Sequence, residues 1–323
     1  MHNPVEKNIH LTAVVPKELA GKRLDQALAR LFSEHSRSRL QEWIRSGDVR
    51  VDNCTMDQRK RVRGGEHIEI KAVFTVQEDA LPEDIPLDVI HEDPSLLMVN
   101  KPPGLVVHPG AGNPARTLLN ALLHYDNALD RVPRAGIIHR LDKNTSGLMV
   151  VARTPECHTR LVEMMQAREI ERQYQAIVTG VMTAGGTIDA PVGRHPLKRT
   201  RMAVVDHGKP AITHYRVIKR FAAHTHIRIH LETGRTHQIR VHMAYIRYPI
   251  VGDPVYGGRL RLPKNAGKEL ISTLKNFPRQ ALHASDISLL HPVTGEQLQC
   301  QAPLPEDMQH LLQILEKDDD AGR

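Results

Sequence analysis

Apolar positions recur along this chain in two rhythms, and the change from one to the other divides it. Near the start, Leu24, Ala27, Leu28 and Leu31 repeat at helical spacing. After the polar run Ser36-Arg37-Ser38-Arg39, a second apolar face is made by Leu40, Trp43 and Ile44. Gly47 predicts the end of that helix, and Val49-Arg50-Val51 alternates as a strand does. From residue 87 onward short apolar runs dominate. Strands are predicted over Leu96 to Val99, Leu148 to Ala152, Tyr174 to Thr179 and Ile227 to Leu231, and helices over Pro114 to Tyr125, capped by Asn113, and Pro155 to Ala167. Strands that outnumber helices without strict alternation predict an α+β domain with a mixed sheet rather than a doubly wound one. Pro82 and Pro86 interrupt any helix between the two parts. The expected division is an N-terminal segment 1–20, a small domain 21–72, an acidic linker 73–86, a large domain 87–312 and an acidic tail 313–323.

Charge sharpens this division. The net +7 is unevenly spread: residues 193 to 259 hold 13 Lys or Arg against 3 Asp or Glu, whereas residues 77 to 93 hold seven acids and no Lys or Arg. A local basic excess is the footprint of a surface that neutralises phosphates. Phosphate contacts are therefore expected at Lys22, Arg23, Ser36, Arg37, Ser38 and Arg39 in the first region, and at Lys198, Arg199 and Arg235 in the second. A serine at a helix N-cap beside arginines leaves backbone N–H groups and guanidinium forks facing outward, which suits phosphate oxygens. Trp43 lies on the apolar face beside Leu40 and reads as core.

Other function classes recede. At 323 residues with 40% hydrophobic and 25% charged content, the chain suits a globular protein of two domains. No apolar run approaches the roughly 20 residues of a membrane span, and the first residues lack the layout of a signal peptide, so a cytoplasmic protein is expected. Cys54, Cys157 and Cys300 are odd in number and scattered, as reduced thiols are. The run His224-Thr225-His226-Ile227-Arg228-Ile229-His230-Leu231 alternates so that Ile227, Ile229 and Leu231 face one way and the histidines with Arg228 the other, a polar face suited to RNA. With no HExxH helix or Cys pair, no metal site is expected. Gly110-Ala111-Gly112-Asn113-Pro114 lacks the spacing of a nucleotide loop, so no cofactor is implied.

The chemistry concentrates in His139-Arg140-Leu141-Asp142-Lys143-Asn144-Thr145-Ser146-Gly147, which lies between Ile137-Ile138 and Leu148 to Ala152. One carboxylate, Asp142, is presented in a polar loop at a strand edge, between two cations that favour its ionised form, with Gly147 as a hinge. An ionised aspartate can be a nucleophile, a base or an electrostatic stabiliser; an Asx turn is the structural alternative.

His139 to Leu148 resembles the catalytic motif of the RluA family of pseudouridine synthases. Lys101-Pro102-Pro103-Gly104-Leu105-Val106-Val107-His108-Pro109-Gly110 resembles that family's first motif, and Leu231-Glu232-Thr233-Gly234-Arg235-Thr236-His237-Gln238-Ile239-Arg240-Val241-His242 its third. Arg23-Leu24-Asp25, Ser36 to Arg39 and Gly47 to Asp52 together resemble an S4 RNA-binding domain. The likeness spans about residues 10 to 310. It implies a largely antiparallel sheet with the active cleft across its middle, and isomerisation of uridine to pseudouridine without cofactor. It also implies Asp142 as the catalytic aspartate, Tyr174 stacking on uracil, Arg240 paired with the aspartate, Arg140 filling the gap left by a flipped base and Ile239 as an apolar wall. The pattern is similar to the branch acting on large-subunit ribosomal RNA, at the intersubunit-bridge stem-loop (helix 69), so the expected partner is that RNA or the large subunit, with the enzyme a monomer. A non-catalytic ribosome-assembly factor, a synthase with another RNA target and an RNA N-glycosidase that releases uracil stand as alternatives.

Overall fold

The computed structural model describes residues 6–32, 37–75, 81–110, 112–198, 200–263 and 266–321. The chain divides near residue 80 into two compact units.

In the first unit, β1 (Glu6–Val14) is followed by α1 (Leu24–Leu31), α2 (Arg37–Ser46), β2 (Val49–Val51) and β3 (His67–Thr75). The three strands form an antiparallel sheet in the order β1-β3-β2. The helical repeat does what its spacing predicts: Leu24, Ala27, Leu28, Leu40, Trp43 and Ile44 are buried with Val49, Val51, Ile68 and Ile70. The N-terminal segment expected to lie outside this domain instead supplies β1, paired with β3 along nine residues. Ser36, expected as an N-cap, lies outside the described residues.

The second unit contains, in order, β4 (Val89–Glu92), β5 (Leu96–Lys101), α3 (Leu118–Tyr125), β6 (Ser146–Ala152), α4 (Pro155–Ala167), β7 (Glu171–Thr179), β8 (Gly186–Asp189), β9 (Val192–Arg194), β10 (Met202–Val204), β11 (Ile212–Arg220), β12 (His224–Leu231), α5 (Gln238–Tyr245), α6 (Lys268–Asn276), β13 (Leu282–Leu290), β14 (Gln297–Gln301) and α7 (Glu306–Ala321). Nine strands form one sheet in the order β4-β5-β6-β13-β7-β12-β11-β8, with β14 on β13; β9 and β10 form a separate pair. Within that sheet only β6 and β13 pair in parallel. Continuous burial of β6 from Ser146 to Ala152 matches a central strand covered on both faces.

Three boundaries depart from expectation. The helix predicted from Pro114 begins at Leu118, because Asn120 Oδ1 accepts from both the backbone N–H (3.0 Å) and the hydroxyl (2.6 Å) of Thr117 and so fixes the start there. The acidic stretch read as a linker is docked at its far end: Asn120 Nδ2 donates to the Leu81 carbonyl and the Arg116 N–H to Glu83, both at 2.8 Å. The acidic tail is the last half of α7, whose Met308, Leu311, Ile314 and Leu315 are buried. That helix also corrects the reading of β12. His224 and His226 are buried rather than presented as a polar face, since α7 lies over that end of the sheet, tied to it by Lys219 Nζ on Glu316 at 2.7 Å.

Candidate active site

The loop that carries Asp142 is tethered from both sides. Buried Lys101, at the end of β5, donates from Nζ to the carbonyls of Pro102, Leu105 and Lys143 at 2.7, 3.0 and 3.1 Å. Burial and the Arg279 charge push its ammonium down to about 7, with Asp142 opposing. Three carbonyl acceptors need all three ammonium protons, which favours the charged form. The Gly104 N–H also donates to the Lys143 carbonyl, Arg279 Nη1 to that of Asn144, and Gln280 Nε2 to the Thr145 hydroxyl. The loop thus hangs from β5 on one side and from the start of β13 on the other.

Gly147 proves to be a contact point rather than a hinge. It pairs with Ala284 where β6 meets β13, at φ +115°, and a Cβ there would lie 2.2 Å from the Ala284 carbonyl oxygen. A side chain at 147 would force those strands apart.

The carboxylate itself is gripped from α5. Arg240 Nη1 donates to Asp142 Oδ2 at 2.9 Å, while its Nε and Nη2 form a fork on Asp253 at 2.7 and 3.0 Å. Arg240 also stacks over Tyr256, 5.0 Å from the ring centre. Burial alone would raise the Asp253 carboxyl, but the Arg240 fork and the N–H groups of Val255 and Tyr256 hold it below the usual range. Burial opposes the Arg240 charge in turn, and the two carboxylates outweigh it and raise its pKa. Arg240 lies on the short helix α5, whose approach is set by Gln238 bonding Thr233, Thr213 and the Ile212 carbonyl.

Around this pair opens a cleft of about 570 Å³, lined by Arg140, Asp142, Tyr174, Arg235, Ile239 and Arg240 among others. These expected site residues, far apart in sequence, therefore meet. Six arginines but only two carboxylates line it, Asp142 and Glu232. A second hollow of about 510 Å³ shares Arg140, Asp142, His237 and Arg240. Tyr174 and Ile239 are each 5% exposed, enough to present a flat apolar surface without leaving the core. Burial raises the Tyr174 hydroxyl, keeping it protonated.

Other expected contacts lie elsewhere. Lys198 is exposed and does not line the cleft, and Arg199 lies outside the described residues. In the first unit, Lys22 is half-buried; Arg23 forks onto buried Asp25 at 3.1 and 3.2 Å, where Gln41 also donates. Arg37, Ser38 and Arg39 open α2. Asp253, His237 and Tyr256 were missed as site residues. His237, at φ +57°, places Nε2 3.8 Å from Asp142 Oδ1 while its Nδ1 meets the Tyr256 hydroxyl at 2.8 Å. The turn-forming Gly252-Asp253-Pro254 was the available signal for Asp253.

A cation-rich cleft that offers a flat aromatic face and a poised carboxylate suits an enzyme acting on a nucleotide within RNA. The RNA pseudouridylate synthase family matches residues 95–245, and the S4 domain matches residues 22–68. Ribosomal large subunit pseudouridine synthase D of Escherichia coli is 55% identical over 97% of this chain and 96% of its own. The protein of the same name from Pseudomonas aeruginosa is 56% identical over 97% and 98%, and that from Xanthomonas campestris 56% over 95% and 92%. Human RNA pseudouridylate synthase domain containing 4 superposes with a TM-score of 0.56 at 27% identity, over 71% of this chain and 93% of its own. The chain therefore belongs to the RNA pseudouridylate synthases, isomerases that rearrange uridine, and to their D-type branch with an S4 domain. Among the described residues no helix is long and apolar enough to cross a membrane.

Proposed function

We propose that this enzyme isomerises defined uridines of large-subunit (23S) ribosomal RNA, in the intersubunit-bridge stem-loop (helix 69), with Asp142 as catalytic aspartate. The observation that carries the reading is the clamp on Asp142: Oδ2 is held by Arg240, itself fixed by Asp253, while Oδ1 accepts no hydrogen bond from the described residues. A carboxylate held by one oxygen and open at the other is oriented for attack or proton abstraction.

In the reaction, the C1′–N1 bond breaks, the uracil turns, C5 bonds to C1′, the C5 proton leaves and N1 gains one. Asp142 either adds to C1′ or takes the C2′ proton and returns it. Both routes need a sugar above Oδ1 and a base stacked on Tyr174 against Ile239. Arg140, exposed beside the cleft, fills the space of the flipped nucleotide. Arg235 serves the flanking phosphates. Lys22, Arg23 and the Ser36 to Arg39 run of the S4 domain, with Lys198 and Arg199, extend the contact along the RNA. The names of the relatives support the large subunit as partner.

Pseudouridine mapping by carbodiimide modification and reverse-transcription stops, on large-subunit RNA incubated with the protein, tests the reading. Stops in the bridge stem-loop are expected; stops elsewhere would reassign the substrate, and none on assembled particles would favour an assembly role.

A further inference from the structure

Arg172 is the second residue of β7, on the face shared with Tyr174 and Ala176. Its side chain enters the cleft, where the guanidinium lies across Gly234: a Cβ on that glycine would sit 3.1 Å from Nη1. Only 9% of Arg172 is exposed. Among the described residues it has no acid within ion-pair distance and donates no hydrogen bond, and its buried Nε has no partner. The two other buried arginines are paired, Arg240 with Asp253 and Asp142, and Arg279 with Asp307 at 2.6 and 2.8 Å. The two carboxylates of the lining are both taken, Asp142 by Arg240 and Glu232 by Arg168 and His214.

A buried cation without a counter-charge costs several kcal/mol, so its missing partner must come with whatever fills the cleft. The other arginines divide by exposure. Arg134, Arg140 and Arg168 are exposed at the rim, where phosphates keep contact with solvent, whereas Arg172 lies beside Tyr174, where the base enters. Its field is felt there: burial first, then the Arg172 charge, push His139 down to about 3.

We propose that Arg172 is a further catalytic residue, whose guanidinium receives the negative charge that uracil acquires when the C1′–N1 bond breaks. This rests on the isomerisation described above. The C1′–N1 electron pair leaves with the base and spreads over N1, O2 and O4. The electron demand at C1′ is met by the Asp142 carboxylate, or by the C–H pair released as Asp142 takes the C2′ proton. When C5 donates its pair to C1′, the Asp142 bond breaks or the proton returns to C2′. Finally C5 loses a proton and N1 gains one. The Arg172 guanidinium stabilises a charge present only after bond cleavage begins, which is the condition for raising the rate rather than merely binding.

The test compares wild type, Arg172→Lys and Arg172→Met in single turnover at saturating RNA, with uridine or 5-fluorouridine at the target, and reads cleavage of the C1′–N1 bond, because 5-fluorouracil has no C5 proton to lose. Expected for Arg172→Met are a fall in rate of about 10²- to 10³-fold, unchanged RNA affinity, and a Tm no lower than wild type. Lys should restore part of the rate. Because 5-fluorouracil carries N1 charge more easily, the deficit should shrink with it. Weakened binding with an unchanged saturating rate would make Arg172 a phosphate anchor and overturn the proposal. So would an equal deficit for both bases with a lowered Tm. If wild type leaves large-subunit RNA unmodified, the substrate reading fails alone, and the comparison moves to the RNA that wild type modifies in total cellular RNA.

Discussion

Arg240 holds Asp142 by one oxygen only: Nη1 reaches Oδ2 at 2.9 Å, and Oδ1 faces the cleft with His237 Nε2 3.8 Å away. The grip orients the carboxylate without occupying the oxygen that, in the proposed chemistry, reaches the sugar. Asp142→Asn keeps the shape but removes the charge, so it should bind RNA normally and lose activity by more than about 10³-fold, the scale of removing a working group. Filter binding and tritium release from C5-labelled uridine would check both halves. Wild-type turnover in the variant would rule out the proposed chemistry.

Arg240 is in turn held by Asp253, whose side chain is wholly buried. Asp253→Ala would leave a buried guanidinium with one partner in place of two. It should cost about 3–5 kcal/mol of stability and lower kcat more than it raises KM, because Asp142 loses its orientation. Urea unfolding together with steady-state kinetics would test this; an unchanged midpoint would show that Arg240 is positioned by other contacts.

The sequence was most legible where one element carries the whole signal. The period of Leu24 to Leu31, the run Leu148 to Ala152 and the helix Pro155–Ala167 needed no partner to be read. What escaped was set by tertiary neighbours. The strand rhythm of His224 to Leu231 is real, yet α7 buries the histidines that alternation would expose. Arg240 reaches Asp142 from α5, whose start is fixed by Gln238 bonded to β11 and to Thr233. Asp253 shows only the local pattern of a turn, Gly252-Asp253-Pro254, which says nothing of its partner, a residue 13 positions away. Asp142, Tyr174, Ile239 and Arg240 were placed by motif resemblance, and the fold brings these four to one cleft.

Gly147 joins the Asp142 loop to the sheet, and its missing side chain is what lets β6 approach β13. Gly147→Ala combines an unfavourable φ with a clash against the backbone, and should destabilise by about 3 kcal/mol or more. Activity should fall further than stability explains at temperatures where the protein stays folded, as Asp142 is five residues away in the loop that leads into β6. A thermal melt and an activity assay at 20 °C would separate the two; a variant as stable as wild type would contradict the tight β6–β13 approach.

Arg37 and Arg39 open α2 of the S4 domain, and their proposed role is non-specific phosphate contact. Changing both to Ala should weaken RNA binding and reduce the slope of log K against log salt by about 1–2, one counterion per lost contact. Catalysis at saturating RNA should be unaffected. A slope equal to wild type would remove this helix start from the RNA path.

Three buried histidines of the catalytic unit make its stability fall on acidification. Burial pushes His224, His226 and His283 down to about 4, partly opposed by Asp318, by Glu316 and by the Ala302 carbonyl respectively, while Arg228 adds to the shift of His226. In the unfolded chain they take up protons near 6.5. Between those values the unfolded state binds more protons than the native one, so the stability present above about pH 6.5 is lost as pH falls toward 4. Each group contributes a slope of up to about 1.4 kcal/mol per pH unit. Urea denaturation of wild type and of His283→Gln from pH 7.5 to 4.5 would measure it. Gln keeps a polar group near Ser146, whose hydroxyl meets His283 Nδ1 at 3.0 Å, but cannot titrate. The variant should lose stability less steeply below pH 6.5; curves of equal slope would mean that His283 binds its proton as readily in the native state as in the unfolded chain.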